Sequence, residues 1–283
     1  MKKIAVVPTL LTLGNGICGF VAIAFASKIN LADAALDNDY LFGAAGWFIL
    51  AAMLFDMLDG YVARLAKSAT KFGAELDSLC DAISFGIVPA FLLLKMGPGW
   101  EPRPWLHQLL AGIAALYMCC AILRLARYNV ADMTNPDPAS QKRFRGLPSP
   151  GAAGCIASLA ILRGDLPNKI MQFFPELDKE AVHHAVYRFV EVFSPIGALI
   201  VGLLMVSLVP FPHLAKQMLR GKKHVGHLIQ LLLGAFIILM FRELALALVF
   251  WGYALAFPVR YLIVRALRPK APPTPDTTPR QTI

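Results

Sequence analysis

Four aspartates, Asp56, Asp59, Asp77 and Asp81, stand in a chain that is otherwise largely apolar. Asp56 and Asp59 are three residues apart and share one face of a helix. Asp77 and Asp81, four apart, share a face of a second helix. Two such pairs facing each other form a cage of hard oxygen ligands. That cage suits Mg²⁺, Mn²⁺ or Ca²⁺, whereas Zn²⁺ would call for Cys or His. An ionised Asp at the middle of a membrane helix costs roughly 2.5–3.5 kcal/mol on insertion scales, and four together repel one another. Divalent cations remove both penalties. The competing reading, acids solvated at helix ends or capping them, accounts for one Asp but not for the spaced set. Gly60 and Gly73 let a ligand or helix approach the backbone beside each pair. Arg64, two turns beyond Asp56, is placed to hold a phosphate.

Such a site needs two helices that present their acids at one membrane face. The composition supplies them. Of 283 residues, 57% are hydrophobic and only 16% charged, and the mean hydropathy is +0.60. Soluble domains average about 45–50% apolar and about 25% charged. The chain is therefore expected to be all-α, a polytopic helical bundle of about eight transmembrane helices. Its formal charge of +9 sits between apolar runs, which fits an anionic membrane surface and an anionic substrate rather than nucleic acid.

The first apolar run, to Ser27, reads as a retained span rather than a cleaved signal peptide, because Thr12 and Asn15 interrupt it on one helix face. After a short acidic loop with Asp33, Asp37 and Asp39, span two runs from about Tyr40 to Ala66. Asp56 falls ~24 Å along it, so the site lies near one face rather than at the midplane. A basic turn, Lys67 to Lys71, leads to span three, from Phe72 or Gly73 to about Met96, with the second Asp pair at its start. Span four covers about Leu106 to Leu123. Small residues Gly151 to Ser158 open span five, near Leu162 at its end, and allow close helix packing in lipid. Residues 163–190 are mixed and read as an interfacial helix. Spans six to eight are about 191–210, 226–240 and 244–264, with Arg242-Glu243 marking the last turn. Residues 1–268 form one transmembrane domain, its catalytic part about 1–160, and the Pro-rich segment 269–283 is expected to be disordered. With eight spans, 19 of the 27 Lys and Arg fall on the side of the acidic motif. That side is expected to face the cytoplasm, as are both termini.

Beyond the acids, Arg124, Arg127 and Asn129 follow span four at the same face, and Lys142, Arg143 and Arg145 follow in the next loop. Arginine grips carboxylate or phosphate in a bidentate way. Cys18, Cys80, Cys119, Cys120 and Cys155 read as small buried hydrophobes. His183 and His184 read as surface or interfacial residues, and His224 with His227 as a poor metal site.

The acidic stretch matches, at every specified position, the pattern Asp-x2-Asp-Gly-x2-Ala-Arg-x8-Gly-x3-Asp-x3-Asp. It thereby resembles the CDP-alcohol phosphatidyltransferase family. The segments 127–129 and 144–150, with 76–86 and the opening 8–15, are similar to the phosphatidylserine synthase branch of that family. Thr9 stands where most members have Asn. The resemblance implies two divalent cations, Mg²⁺ or Mn²⁺, with Ca²⁺ also fitting, held by Asp56, Asp59 and Asp77. Asp81 is implied as general base and further ligand. Thr12, Asn15, Gly60, Ala63, Arg64 and Gly73 match positions around CDP-diacylglycerol. Arg124, Arg127, Asn129, Arg143 and Arg145 are candidates to bind serine.

The implied reaction transfers the phosphatidyl group from CDP-diacylglycerol to L-serine, giving phosphatidylserine and CMP. The setting is a cell inner membrane with the site facing the cytoplasm, in a homodimer among membrane lipids. The nearest alternative keeps the chemistry with inositol, inositol phosphate or glycerol 3-phosphate as acceptor. A different class, a cation transporter using the Asp cluster, gains nothing from the adjacent Arg64. A membrane scaffold has no use for buried acids.

Overall fold

The computed structural model describes residues 6–30, 36–66, 70–98, 103–134, 146–209, 211 and 242–267. Among the described residues every regular element is a helix. These are α1 (Val6–Ser27), α2 (Leu36–Leu65), α3 (Lys71–Asp81), a π-helical turn (Ala82–Ile87), α4 (Val88–Met96), α5 (Pro104–Thr134), α6 (Ser149–Phe173), α7 (Lys179–Val206) and α8 (Arg242–Leu267). Six of the described helices are long and apolar enough to cross a membrane: those over 6–27, 38–65, 71–96, 104–130, 179–206 and 242–261. The protein is thus a multi-pass helical membrane protein. Residues 226–240, read from the sequence as span seven, and the tail 269–283 lie outside the described residues.

α6 differs from the reading in length and role. It runs through residues expected to leave the membrane, and α7 starts well before 191, so no separate interfacial helix occupies 163–190. Within this stretch Arg163 is buried and Asp165 half-buried, whereas the polar residues from Gln172 to Glu180 are exposed. α6 is packed against α2, α7 and α8, and its small residues Gly151 to Ala160 are half-buried or buried. Small side chains let helix backbones approach, which suits a central helix. α5 likewise carries Arg124, Arg127 and Asn129 within one continuous helix.

α2 is long enough to join two polar layers. Asp39 and Asp59 lie ~30 Å apart along it, about one hydrocarbon thickness. At the Asp39 end, His183 Nδ1 of α7 lies 3.0 Å from Asp39 Oδ2. Arg163 of α6 is sandwiched between the rings of Phe42 and Tyr187, at 3.9 and 4.0 Å, and its Nη1 donates to the Met96 carbonyl. Trp47 Nε1 donates to Asp165 Oδ2 at 3.0 Å, and Arg242 reaches Asp165 and Glu243. His183 is therefore largely enclosed, its ring nitrogen set against the Asp39 carboxylate in place of water, whereas its neighbour His184 is exposed. Asp39 belongs to a helix rather than a loop, and Arg242-Glu243 opens α8. Cys18, Cys80, Cys120 and Cys155 are buried as expected, whereas Cys119 is exposed.

Candidate active site

The acids are set by two helices that follow closely in sequence. α2 carries Asp56 and Asp59 in its last turns, and α3 begins at Lys71. Thr70 caps α3, its hydroxyl accepting from Gly73 N–H at 3.0 Å. This N-cap satisfies one of the amides that a helix start leaves free. Gly73 thus serves the cap, and a Cβ there would lie 3.1 Å from Thr70 Oγ1. Immediately after Asp81 the helix widens into the π-helical turn. Such turns are rare and concentrate at functional sites. Tyr117 Oη donates to Phe85 O within it, at 3.1 Å.

One carboxylate oxygen from each of Asp56, Asp59 and Asp77 lies within 4.8 Å of the other two. Asp59 is buried, and Asp77 Oδ1 is enclosed without a hydrogen-bond donor among the described residues. Three mutually repelling carboxylates, one with an orphaned oxygen, fit a hard divalent cation. Asp81 does not join this triplet. Its Oδ1 accepts from Asn15 Nδ2 at 2.9 Å, which leaves it beside the cluster rather than within it.

α1 closes one side. Thr12 Oγ1 donates to Asp59 Oδ2 at 2.6 Å, and Ser84 Oγ donates to the Asn15 carbonyl at 3.0 Å. A Cβ on Gly16 would lie 3.2 Å from Cys80 Sγ, and one on Gly19 would collide with Ser84. Gly19 thus lets α1 approach the π-helical turn, and a side chain at Gly16 would press on Cys80.

The opposite side is basic. The Arg124 guanidinium is near enough to attract both Asp56 and Asp81, and Nη1 donates to Ser149 Oγ at 2.8 Å. Tyr253 of α8 also feels its charge. Asn129 Nδ2 donates to Ser78 Oγ at 2.9 Å, one residue from Asp77. Arg127 turns instead toward the end of α7, Nη1 lying 3.4 Å from Val206 O. Arg64 is exposed yet attracts Asp59, with Gly60 against its guanidinium and Ala63 half-buried beside it. Arg143 and Arg145 lie outside the described residues. Gly146, the first described residue after them, has a φ of 99°, which is left-handed and favours glycine. Gly146 N–H donates to Val209 O at 2.8 Å and Leu147 N–H to Leu204 O at 3.0 Å, which ties the residues just before α6 to the end of α7.

The sequence reading missed Ser78, Ser84, Ser149 and Tyr253. A serine beside a motif Asp was the only available signal for Ser78. Ser84 and Ser149 lie in the segments 76–86 and 144–150 that resemble the phosphatidylserine synthase branch but drew no role of their own, and Tyr253 has no local mark.

Comparison with known proteins agrees with this geometry. The sequence profile described as CDP-alcohol phosphatidyltransferase matches residues 5–186. The chain is similar to a CDP-diacylglycerol–serine O-phosphatidyltransferase of Mycobacterium tuberculosis, 35% identical over 162 residues, covering 56% of this chain and 50% of that protein. It is similar to the protein of that name from Helicobacter pylori, 34% identical over 155 residues, 55% of this chain and 57% of the relative. A third relative so named, from Bacillus subtilis, is 27% identical over 210 residues, 74% of this chain and 92% of its own length. The chain spans about half the length of the mycobacterial and Helicobacter relatives.

Proposed function

The chain belongs to the CDP-alcohol phosphatidyltransferase family, and from that premise we propose that it transfers the phosphatidyl group of CDP-diacylglycerol to L-serine, releasing CMP. The observation that carries this reading is the Asp56–Asp59–Asp77 triplet with Asp81 beside it and Arg124 opposite. The names of the relatives support serine as acceptor.

Asp56, Asp59 and Asp77 would hold divalent cations, Mg²⁺ or Mn²⁺. When bound, these cations supply positive charge that offsets the negative charge of the diphosphate. Asp81 accepts the proton of the serine hydroxyl as that oxygen bonds to the phosphatidyl phosphorus. The bond from that phosphorus to the bridging oxygen breaks, and CMP leaves with the electron pair. In this reading Arg64 contacts the diphosphate and Arg124 pairs with the serine carboxylate. Asn129, held by Ser78, lines the same side. The acceptor carboxylate favours Arg124 over Arg127, because Arg124 faces Asp81 while Arg127 faces α7.

The reading places the site at the cytoplasmic face of a cell inner membrane, both termini on that side, with residues 1–268 forming one catalytic domain in a homodimer. The test uses purified protein in detergent with CDP-diacylglycerol and Mn²⁺ or Mg²⁺. CMP release is followed with L-serine, inositol, inositol phosphate or glycerol 3-phosphate, each with and without EDTA. Metal-dependent release with serine alone supports the reading. Release with another acceptor keeps the chemistry and overturns serine. No release with any acceptor overturns both and makes cation flux the next assay.

A further inference from the structure

We infer that Thr12 and Asn15 of α1 are positioning residues that hold the site's carboxylates from behind, and do not contact the nucleotide. The inference deepens the function proposed above and rests on it for the role of Asp81. The family resemblance makes both side chains candidates for CDP-diacylglycerol contact. Their geometry directs them elsewhere. Thr12 is 4% exposed and Asn15 fully buried, so neither offers a surface to a nucleotide. They stand three residues apart and so share one face of α1.

The Thr12 hydroxyl has one proton and two acceptors within reach, Pro8 O at 3.0 Å and Asp59 Oδ2 at 2.6 Å. The shorter distance is that of a hydrogen bond to an ionised oxygen, which outcompetes a neutral carbonyl. The proton therefore belongs to Asp59. It ties down Oδ2 and fixes the carboxylate plane beside Asp56 and Asp77. Outer partners of metal ligands set ligand orientation in this way.

Asn15 does the same for Asp81. An ionised carboxylate only accepts, so the amide nitrogen must face it, at 2.9 Å. With Oδ1 occupied, Oδ2 is the oxygen left to take a proton. Asn15 is itself braced, since its backbone carbonyl accepts from Ser84 in the π-helical turn. α1 thus reaches both Asp-bearing helices through two hydrogen bonds one turn apart.

The experiment separates positioning from nucleotide contact. Thr12→Val, with Thr12→Ala as a second truncation and Thr12→Ser as the conservative rescue, is titrated with Mn²⁺ alone. The bound ion is read by electron paramagnetic resonance without substrate. The expected result is a loss of about 10–100-fold in Mn²⁺ affinity for Val and Ala, recovered by Ser. Asn15→Ala is assayed at saturating Mn²⁺, where kcat should fall about 10–100-fold with KM for CDP-diacylglycerol and Mn²⁺ affinity unchanged. Near-native Mn²⁺ affinity in both Thr12 truncations, or an Asn15→Ala defect confined to KM for CDP-diacylglycerol, overturns the inference. Wild-type protein that binds Mn²⁺ yet releases no CMP overturns the proposed function separately, and the Mn²⁺ titration still decides Thr12.

Discussion

Arg124 donates to Ser149 at 2.8 Å and thereby ties the middle of α5 to the first turn of α6. This contact holds the guanidinium on the side of the site where it attracts Asp56 and Asp81. If it receives the acceptor carboxylate, Arg124→Gln raises KM for serine about 10-fold or more, the scale of a lost charge-assisted hydrogen bond. KM for CDP-diacylglycerol should move much less. Ser149→Ala should give a smaller rise, since the arginine stays charged but less fixed. Steady-state kinetics varying one substrate at a time reads both.

Asp81 stands outside the carboxylate triplet and has one oxygen committed to Asn15. Asp81→Asn removes the proton acceptor while keeping the size of the side chain. Turnover should fall about 10²–10⁴-fold with most CDP-diacylglycerol binding retained. Full activity in this variant would refute its role as base.

Asp77 has a buried oxygen without a donor among the described residues, which suits a cation ligand. EDTA should abolish CMP release, and added Mn²⁺ or Mg²⁺ should restore it. In Asp77→Asn the cation concentration needed for half-maximal activity should rise at least 10-fold, because one anionic ligand is lost. Metal titration of activity is the measurement. An unchanged requirement would remove Asp77 from the ligand set.

The far layer is a stability device in this fold. Asp39 and His183 join α2 to α7 with both side chains almost enclosed. His183→Phe leaves the Asp39 carboxylate buried without that partner and should cost about 1–3 kcal/mol. Thermal unfolding in detergent should register the loss, while the Mn²⁺ affinity of the distant acidic site stays unchanged.

Gly164 packs against the backbone of α2, where an added Cβ would meet the Asp39 carbonyl and Gly43. Backbone cannot swing aside as a side chain can. Gly164→Ala should cost about 1–3 kcal/mol through overpacking, read as a lowered unfolding temperature. Gly112 has open space around it, so Gly112→Ala in α5 serves as the control and should be neutral or mildly stabilising.

Helix periodicity and hydropathy are local properties, and they carried much of the result. The spacing of Asp56, Asp59, Asp77 and Asp81 named the acids, and the short stretch of sequence between α2 and α3 required both pairs to emerge together. Positions distant in sequence were not legible. Thr12 meets Asp59 across 47 residues and Asn15 meets Asp81 across 66. Those contacts depend on how α1 is rotated and how closely it approaches, which Gly16 and Gly19 permit but a single-helix pattern does not specify. The same holds for His183, whose polar character suggested a surface until α7 was placed against Asp39. It holds also for Arg163 and Asp165 of α6, which turn inward because α2, α4, α7 and the Arg242 end of α8 supply their partners. The sequence by itself determined which groups could hold a cation and at which end of two helices they stand. Only the tertiary structure decided which oxygens converge and which residues steady them, because those relations arise from the packing of helix against helix.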